Sequence, residues 1–377
     1  MGKSKPKTAD SAGTRRKSAA RLPEALLAKI GRLDEDLIRL AEERARLVVE
    51  AARQDPAQAE ALCAPTLDTE SQERLAAAAG EVALPQTCVQ ALLREVASGC
   101  RRLIREPRIA FLGPLYSFSH LAAIHRFGQS VQLVPVGSIA AVFEEVHRKQ
   151  SDFGLAPIEN STDGRVADTL DMFTRMRVRI CGEVELRIHH SLLGKCQRTD
   201  VREVYSKPQA LSQCRNWLAK HLPSARTIEV TSTSTAAQLA SEKPGAAAIA
   251  SVQAGVRYGL DVLAENIEDN PFNTTRFAVI GDHPSPRTGN DRTAVLFQME
   301  HRPGTLADAM MIFKRAKLNL TWIESFPLPG PERGYLFFVE MEAHETDARC
   351  RRAMAALGRK ALRLEILGSF PATAAVD

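Results

Sequence analysis

At 377 residues the chain exceeds what one ordinary hydrophobic core supports, so roughly two to four domains are expected. Its 44% hydrophobic and 25% charged residues are a soluble globular composition, and no apolar run approaches the roughly 20 residues of a membrane helix. The net charge of +5 resides in the N-terminal tail, where seven cations between Lys3 and Arg21 face Asp10 alone; the near-neutral remainder offers no basic stripe for nucleic acid.

Residues 1–22 read as a disordered basic tail. They lack the apolar stretch of a secretory signal, and Pro6 spoils the myristoylation pattern after Gly2. Seven cysteines (Cys63, Cys88, Cys100, Cys181, Cys196, Cys214, Cys350) never form C-x-x-C. Reduced thiols in a cytoplasmic protein without a metal site are therefore expected. Leu26, Ile30, Leu33, Leu37, Leu40 and Leu47 recur on four- and three-residue steps, which predicts one long helix with a packing seam. Pro56 and Pro65 bracket a break, and two more helices are predicted, Asp68 to Ala79 and Pro85 to about Arg105. Residues 23–106 thus read as an all-α three-helix unit.

From Arg108 short β-like runs alternate with helical stretches, an α/β pattern over 107–282. His283 to Arg292 reads as a linker. Over 291–370 the order is strand (Thr293–Glu300), helix (Gly304–Lys317), strand (Asn319–Phe326), strand (Gly334–Met341), helix (Thr346–Leu357) and strand (Leu362–Leu367), a ferredoxin-like βαββαβ module.

The α/β region gathers small polar groups at strand ends. Asn273-Thr274-Thr275-Arg276-Phe277 sets two hydroxyls, a carboxamide and a guanidinium at the mouth of an apolar strand. An Arg can grip a carboxylate bidentately, and a neighbouring Thr can hydrogen-bond a leaving oxygen. Alone, such a pentapeptide is as often an ordinary strand-entry turn. Four further segments follow the same habit: Gly113 to Ser119, Pro157 to Ser161, Ser206 to Gln213, and Thr231 to Thr235. Each by itself is more often a helix cap than a ligand contact. Aimed at one cleft, they would hold a polyanionic small molecule.

Taken in order, the Gly113-Pro114…Ser117-Phe118-Ser119 opening, Pro157-Ile158-Glu159-Asn160-Ser161, the Ser206-x-Pro208-Gln209-Ala210-x-x-Gln213-Cys214 run and Asn273-x-Thr275-Arg276-Phe277 make this region resemble prephenate dehydratase over its whole length. The resemblance implies a two-lobed α/β domain, similar to periplasmic binding proteins, that converts prephenate to phenylpyruvate without a cofactor. It implies catalytic roles for Thr275, Asn160, Ser206 and Gln213, with Thr275 as donor at the leaving hydroxyl. Arg276, Ser117, Ser119, Ser161 and Thr233 would bind substrate. Two departures stand out: Tyr116 replaces a family glycine, and Lys207 replaces the usual His before Pro208. They leave prephenate against arogenate open.

Residues 291–370 resemble an ACT domain, through His301-Arg302-Pro303-Gly304-Thr305-Leu306-Ala307 and Asn319 to Pro327. The implied effector is L-phenylalanine, held by Gly304, Thr305, Leu306, Ala307, Glu324 and Ser325 at a dimer interface. Phe326 replaces the family Arg there and removes a cation. The alternative is a purely structural dimerisation module. Residues 23–106 resemble a chorismate mutase domain, with Arg44, Asp68 and Ser98 at mutase-like site positions and Gln72 standing in for a carboxylate. Leu27, Asp55 and Ser71 stand where cations are usual, and Arg102 where a Gln is. Mutase chemistry rests on cations, so weak or absent activity is expected, with the helices retained for a homodimer or higher oligomer. Two rival readings are a fully bifunctional mutase/dehydratase and a non-catalytic amino-acid sensor.

Overall fold

The structure, a computed structural model, describes residues 23–55, 84–327, 334–373 and 375–376. The helix expected over Asp68 to Ala79 lies outside them, as do Asp68, Ser71 and Gln72. The long helix forms as expected: α1 spans Glu24–Gln54 and packs on α2, Gln86–Ile104. The contact, however, is not made by the predicted seam. Val48 and Cys100 are the buried pair, flanked by Ala45, Val96 and Ile104. Leu26, Ile30, Leu33, Leu37, Leu40 and Leu47 are each 45–60% exposed, so their stripe has no cover among the described residues.

The α/β region divides over two sheets. The first has the order β2-β1-β3-β11-β5, from β1 (Arg108–Leu112), β2 (Gln132–Val136), β3 (Phe153–Asn160), β5 (Arg179–Arg187) and β11 (Thr274–Gly281). The short β4 (Gly164–Arg165) pairs with β3. Strands β2, β1 and β3 run parallel, and β11 is antiparallel to both β3 and β5. Helices α3 (Phe118–Phe127), α4 (Ile139–His147) and α5 (Ala167–Arg175) bury Ala122, Phe127, Val142, Phe143, Leu170 and Phe173 against it.

The second sheet runs β10-β6-β9-β7-β8. Its strands are β6 (Ser191–Gly194), β7 (Glu203–Ser206), β8 (Arg226–Glu229), β9 (Ala246–Ala250) and β10 (Asp261–Ala264). The helices with it are α6 (Pro208–Gln213), α7 (Arg215–His221), α8 (Thr233–Glu242) and α9 (Val252–Tyr258). Strand β9 is five buried residues, Ala-Ala-Ala-Ile-Ala; small side chains let α8 settle directly on the sheet. Among the described residues, two segments cross between the sheets, 188–190 and 265–273. They are hydrogen-bonded to each other, Ile188 N to Asn273 O at 2.8 Å and Ile267 N to His190 O at 2.9 Å.

Beyond Asp291 come β12 (Asp291–Gln298), α10 (Thr305–Arg315), β13 (Leu320–Pro327), β14 (Tyr335–Glu342), α11 (Ala348–Gly358) and β15 (Arg363–Pro371). They form an antiparallel sheet ordered β13-β14-β12-β15, with the two central strands adjacent to the outer pair in the βαββαβ manner. One face packs on α10 and α11. The other shares a core with the first α/β sheet, where Ala294, Leu296, Leu336, Phe338 and Phe370 join Ala278 and Ile280. Gly368, at φ 146°, lies so close to β5 that a Cβ there would meet Ile180 O at 2.1 Å. The segment expected to be a linker is tied down: Ser285 hydrogen-bonds Cys181 O, and Arg287 pairs with Asp347 at 2.8 Å. Val376 then returns to β5, bonding Glu185 and Arg187 through its backbone. Among the described residues no helix is long and apolar enough to cross a membrane.

Candidate functional site

Strand pairing brings the sequence motifs to one place. Thr275 opens β11 opposite Asn160 at the end of β3, in direct register. Asn160 Nδ2 donates to Thr275 Oγ1 at 2.8 Å and to Asn273 Oδ1 at 3.1 Å. Asn160 Oδ1 accepts the backbone N–H groups of Thr162 and Asp163 at 2.9 and 3.0 Å. That turn fixes the carboxamide, because only its oxygen can face two N–H donors. With Asn160 occupying a lone pair of Thr275 Oγ1, the threonine's own hydrogen is directed away from Asn160.

Gln213, at the end of α6 in the second unit, reaches the same cluster. Its Oε1 accepts from Asn273 Nδ2 at 3.1 Å and lies 3.0 Å from His190 Nε2, while its Nε2 donates to Asp163 at 3.2 Å. Asp269 N bonds Gln213 O at 2.7 Å, and the Asp269 carboxylate caps α7 at Asn216 and Trp217. Thr275, Asn160 and Gln213 are therefore joined through Asn273, which lies at the crossing between the two sheets. Ser161 belongs to the same corner. Its Oγ accepts Thr274 N at 2.9 Å and holds the ends of β3 and β11 together.

Ser206 is adjacent in sequence to α6, but it is fully buried and donates to Ile249 O at 2.7 Å. Its hydroxyl hydrogen is spent on the neighbouring strand. Ser117 caps α3, accepting His120 N at 3.4 Å, and Ser119 is buried in the helix's first turn. Thr233 is buried at the start of α8, which Ser232 caps. The two helix starts meet across the junction, since Ser234 donates to Leu115 O at 2.7 Å. The starts of α3 and α8 are thus neighbours, and Lys207 is exposed ahead of Pro208.

Arg276, expected from the sequence to bind substrate, lies among carboxylates of this chain. Successive strand residues point to opposite faces, so Arg276 turns away from the Thr275 cluster. It is held by Glu159 at 2.8 Å, Glu183 at 2.9 Å and Glu340 at 2.9 Å, with the Trp322 ring 5.6 Å from its guanidinium. Arg292 also pairs with Glu183, at 3.2 Å. Burial disfavours a charged Arg276, but the neighbouring carboxylates outweigh it and hold the guanidinium protonated. Burial raises the Glu340 carboxyl above its usual range.

Tyr116 keeps the glycine-like conformation of the position it fills, with φ 65°. Its N–H donates to His120 Nδ1 at 3.1 Å, and its ring lies 5.9 Å from the Arg257 guanidinium of the second unit. At the N-terminal helices, Ser98 does not join Arg44. Ser98 is buried against Gly128, where a Cβ would come within 2.5 Å of it, and accepts Ser130 N at 3.2 Å. Arg44 reaches Cys100 Sγ at 3.2 Å, two residues on and on the other side of α2. In the C-terminal module Gly304 caps α10 at φ 85°, Thr305 Oγ1 bonds Glu300 O at 2.8 Å, and Leu306 and Ala307 follow in the first turn. Glu324, on edge strand β13, pairs with Arg165 of β4 at 2.6 Å, and the same guanidinium donates to Ser325 O at 3.4 Å.

Sequence reasoning missed His190, Glu268 and Glu340. It quoted Asn273 and Ser234 without giving either a role. The adjacent His189-His190 pair at a strand entry is the only local signal among these.

Known proteins point the same way. Residues 109–285 match the family profile for prephenate dehydratase. A curated bifunctional chorismate mutase/prephenate dehydratase of Aquifex aeolicus is 38% identical over 347 residues, covering 91% of this chain and 96% of that protein. The chain belongs to the prephenate dehydratase family. Among solved structures, the prephenate dehydratase of Arthrobacter aurescens in complex with L-Phe superposes with a TM-score of 0.66 at 32% identity, covering 70% of this chain and 90% of that one. A structure described as a novel type of quorum quenching acylase follows at TM-score 0.65 and 29% identity, covering 71% and 98%. The prephenate dehydratase frame therefore spans the two α/β sheets that meet at Thr275.

Proposed function

We propose that the chain catalyses the decarboxylating dehydration of prephenate to phenylpyruvate in phenylalanine synthesis, in a cleft between two lobes built on the two α/β sheets. The observation that carries this is the Asn160–Thr275 hydrogen bond, which turns the threonine hydrogen outward. Carbon dioxide leaves as the ring C–C bond breaks, its electron pair enters the ring, and the C4–O bond breaks to complete the aromatic system. The departing hydroxide takes up a proton and leaves as water. Aromatisation drives the step, so the protein needs to orient a donor and hold two carboxylates. Thr275 supplies the oriented hydrogen bond. With Arg276 committed elsewhere, the carboxylates fall to the α3 and α8 N-termini and Lys207. Asn160 and Gln213 hold Thr275 in place, and Ser206, Ser117, Ser119, Ser161 and Thr233 shape the walls.

The C-terminal module acts as an ACT domain that senses L-phenylalanine, with Gly304, Thr305, Leu306 and Ala307 receiving the amino acid. The L-Phe complex of the Arthrobacter aurescens relative supports this. Glu324 and Ser325 act from their contact with Arg165. The exposed leucine stripe of α1 supports a homodimer, and the reduced-thiol composition a cytoplasmic setting. A second reading, full bifunctionality, is favoured by the Aquifex aeolicus relative, whose name includes chorismate mutase and of which this chain covers 96%. Against it stand the missing cations at Leu27 and Asp55 and the packing of Ser98 away from Arg44.

The purified chain given prephenate should release phenylpyruvate; given chorismate alone it should release little. Product from both substrates would establish the bifunctional enzyme, and product from neither would leave an amino-acid sensor.

A further inference from the structure

The cluster at Thr275 extends into the protein along one continuous set of hydrogen bonds, and its direction is fixed at both ends. At one end Asn160 must present its amide to Thr275, because its oxygen serves two backbone N–H groups. Both hydrogens of Asn160 Nδ2 are then used, on Thr275 and Asn273. Asn273 presents Oδ1 to Asn160 and to the Thr162 hydroxyl, so its own amide faces Gln213. Gln213 in turn directs Nε2 to the Asp163 carboxylate and Oε1 to Asn273. A flipped Gln213 would set its oxygen against a carboxylate and its amide against another amide.

Gln213 Oε1 therefore leaves one lone pair, 3.0 Å from His190 Nε2. Only a ring with hydrogen on Nε2 satisfies it. His190 and Asn273 are each 2% exposed, so a mismatched pair here could not be repaired by water. His190 is held from behind: its backbone N–H donates to Glu268 Oε2 at 2.9 Å, the other Glu268 oxygen takes His189 Nδ1 at 2.8 Å, and the Phe118 ring meets the imidazole edge-on at 5.5 Å. Burial keeps the imidazole neutral, by lowering its pKa.

We infer that His190 and Asn273 are positioning residues for the reaction: acting through Gln213 and Asn160, they fix Thr275 as a hydrogen donor towards substrate. The inference rests on the prephenate dehydratase reading. Neither residue needs to touch substrate. Both sit on the two segments that cross between the sheets, so the same bonds that join the units also set the polarity of the site.

The test uses the full-length chain and prephenate turnover. His190→Leu removes the donor at similar volume, and His190→Gln returns an N–H of similar reach. His190→Leu is expected to lower kcat by about 10- to 100-fold with KM little changed, as for a misoriented reacting group. His190→Gln is expected to recover most of that loss. In the double variant with Thr275→Ala, His190→Leu should add no further loss, because its effect passes through the missing hydroxyl. Wild-type kcat in His190→Leu, no recovery in His190→Gln, or a multiplied loss in the double variant overturns the inference. Should His190→Leu fail to fold, Asn273→Asp probes the same link. It keeps the acceptor for Asn160 and loses the donor to Gln213, so kcat should fall, and an unchanged kcat overturns the inference. A wild-type chain inert on prephenate would remove the underlying reading and the inference together. An active wild type with an unaffected His190→Leu removes the inference alone.

Discussion

Arg276 Nη2 lies 2.9 Å from Glu340 Oε2, and this contact joins the strand that carries Thr275 to the central strand β14 of the C-terminal module. Glu340 is 1% exposed, and Glu159 and Glu183 complete the shell around the guanidinium. The C-terminal module is thus not a loosely tethered addition. It supplies one of three carboxylates to a residue adjacent to the proposed donor.

Arg276→Met leaves the buried Glu340 carboxylate without its cation and is expected to destabilise the chain by about 3–5 kcal/mol. Glu340→Ala should cost less, because Glu159 and Glu183 still pair with the guanidinium. Arg276→Lys should recover little of it, because one ammonium cannot match a fork shared among three carboxylates. Denaturant unfolding of the three variants checks this. A Lys variant of wild-type stability would show that charge alone suffices.

Thr275→Ala removes the hydroxyl and one methyl group from a half-buried position outside the hydrophobic core. Turnover of prephenate should fall by about 100- to 10,000-fold, the usual contribution of a proton donor. The melting temperature should hold. Steady-state kinetics alongside a melting curve decide the matter, and near-wild-type kcat would take Thr275 out of the reaction.

Stability should decline as pH falls from about 6.5 towards 4. Burial, with Arg94 and Arg126 nearby, pushes the His125 pKa down to about 4. The unfolded chain, with an ordinary imidazole, then binds a proton across that window which the folded chain refuses, so acid favours unfolding. Burial lowers His120 in the same direction. Melting curves from pH 7 to pH 4 should show a smaller loss for His125→Gln than for wild type. Parallel curves would exclude His125 as a contributor.

L-Phenylalanine should raise the melting temperature and lower dehydratase activity. Arg165→Ala cuts the Glu324 link to β4, whose partner strand β3 ends at Asn160. This variant is expected to keep the thermal shift and lose much of the inhibition. Calorimetric binding paired with inhibition curves separates the two, and full inhibition in Arg165→Ala would place the coupling elsewhere.

Much of this molecule was legible in the chain. Strand-helix alternation from Arg108, the βαββαβ order after Asp291 and the long α1 helix all follow from apolar periodicity, which reports local geometry directly. The expected roles of Thr275, Asn160 and Gln213 came from the resemblance of their motifs to prephenate dehydratase, to which small polar groups at strand ends drew attention. The leucine stripe of α1 shows where periodicity stops. It announces an apolar face, but not which surface covers it, and α2 meets Val48 instead.

Tertiary structure alone decided what each side chain faces. Thr275 and Arg276 are neighbours in sequence, yet the pleat of β11 sends one to the inter-sheet cluster and the other to carboxylates as far away as Glu340. Ser206 and Gln213 lie on one motif, but burial commits the first to Ile249 while the second crosses to Asn273. His190 and Asn273 matter only because two segments far apart in sequence cross side by side. A sequence determines which groups are available and on which local face they stand. Hydrogen-bond direction depends on every partner at once, and those partners exist only in the folded chain.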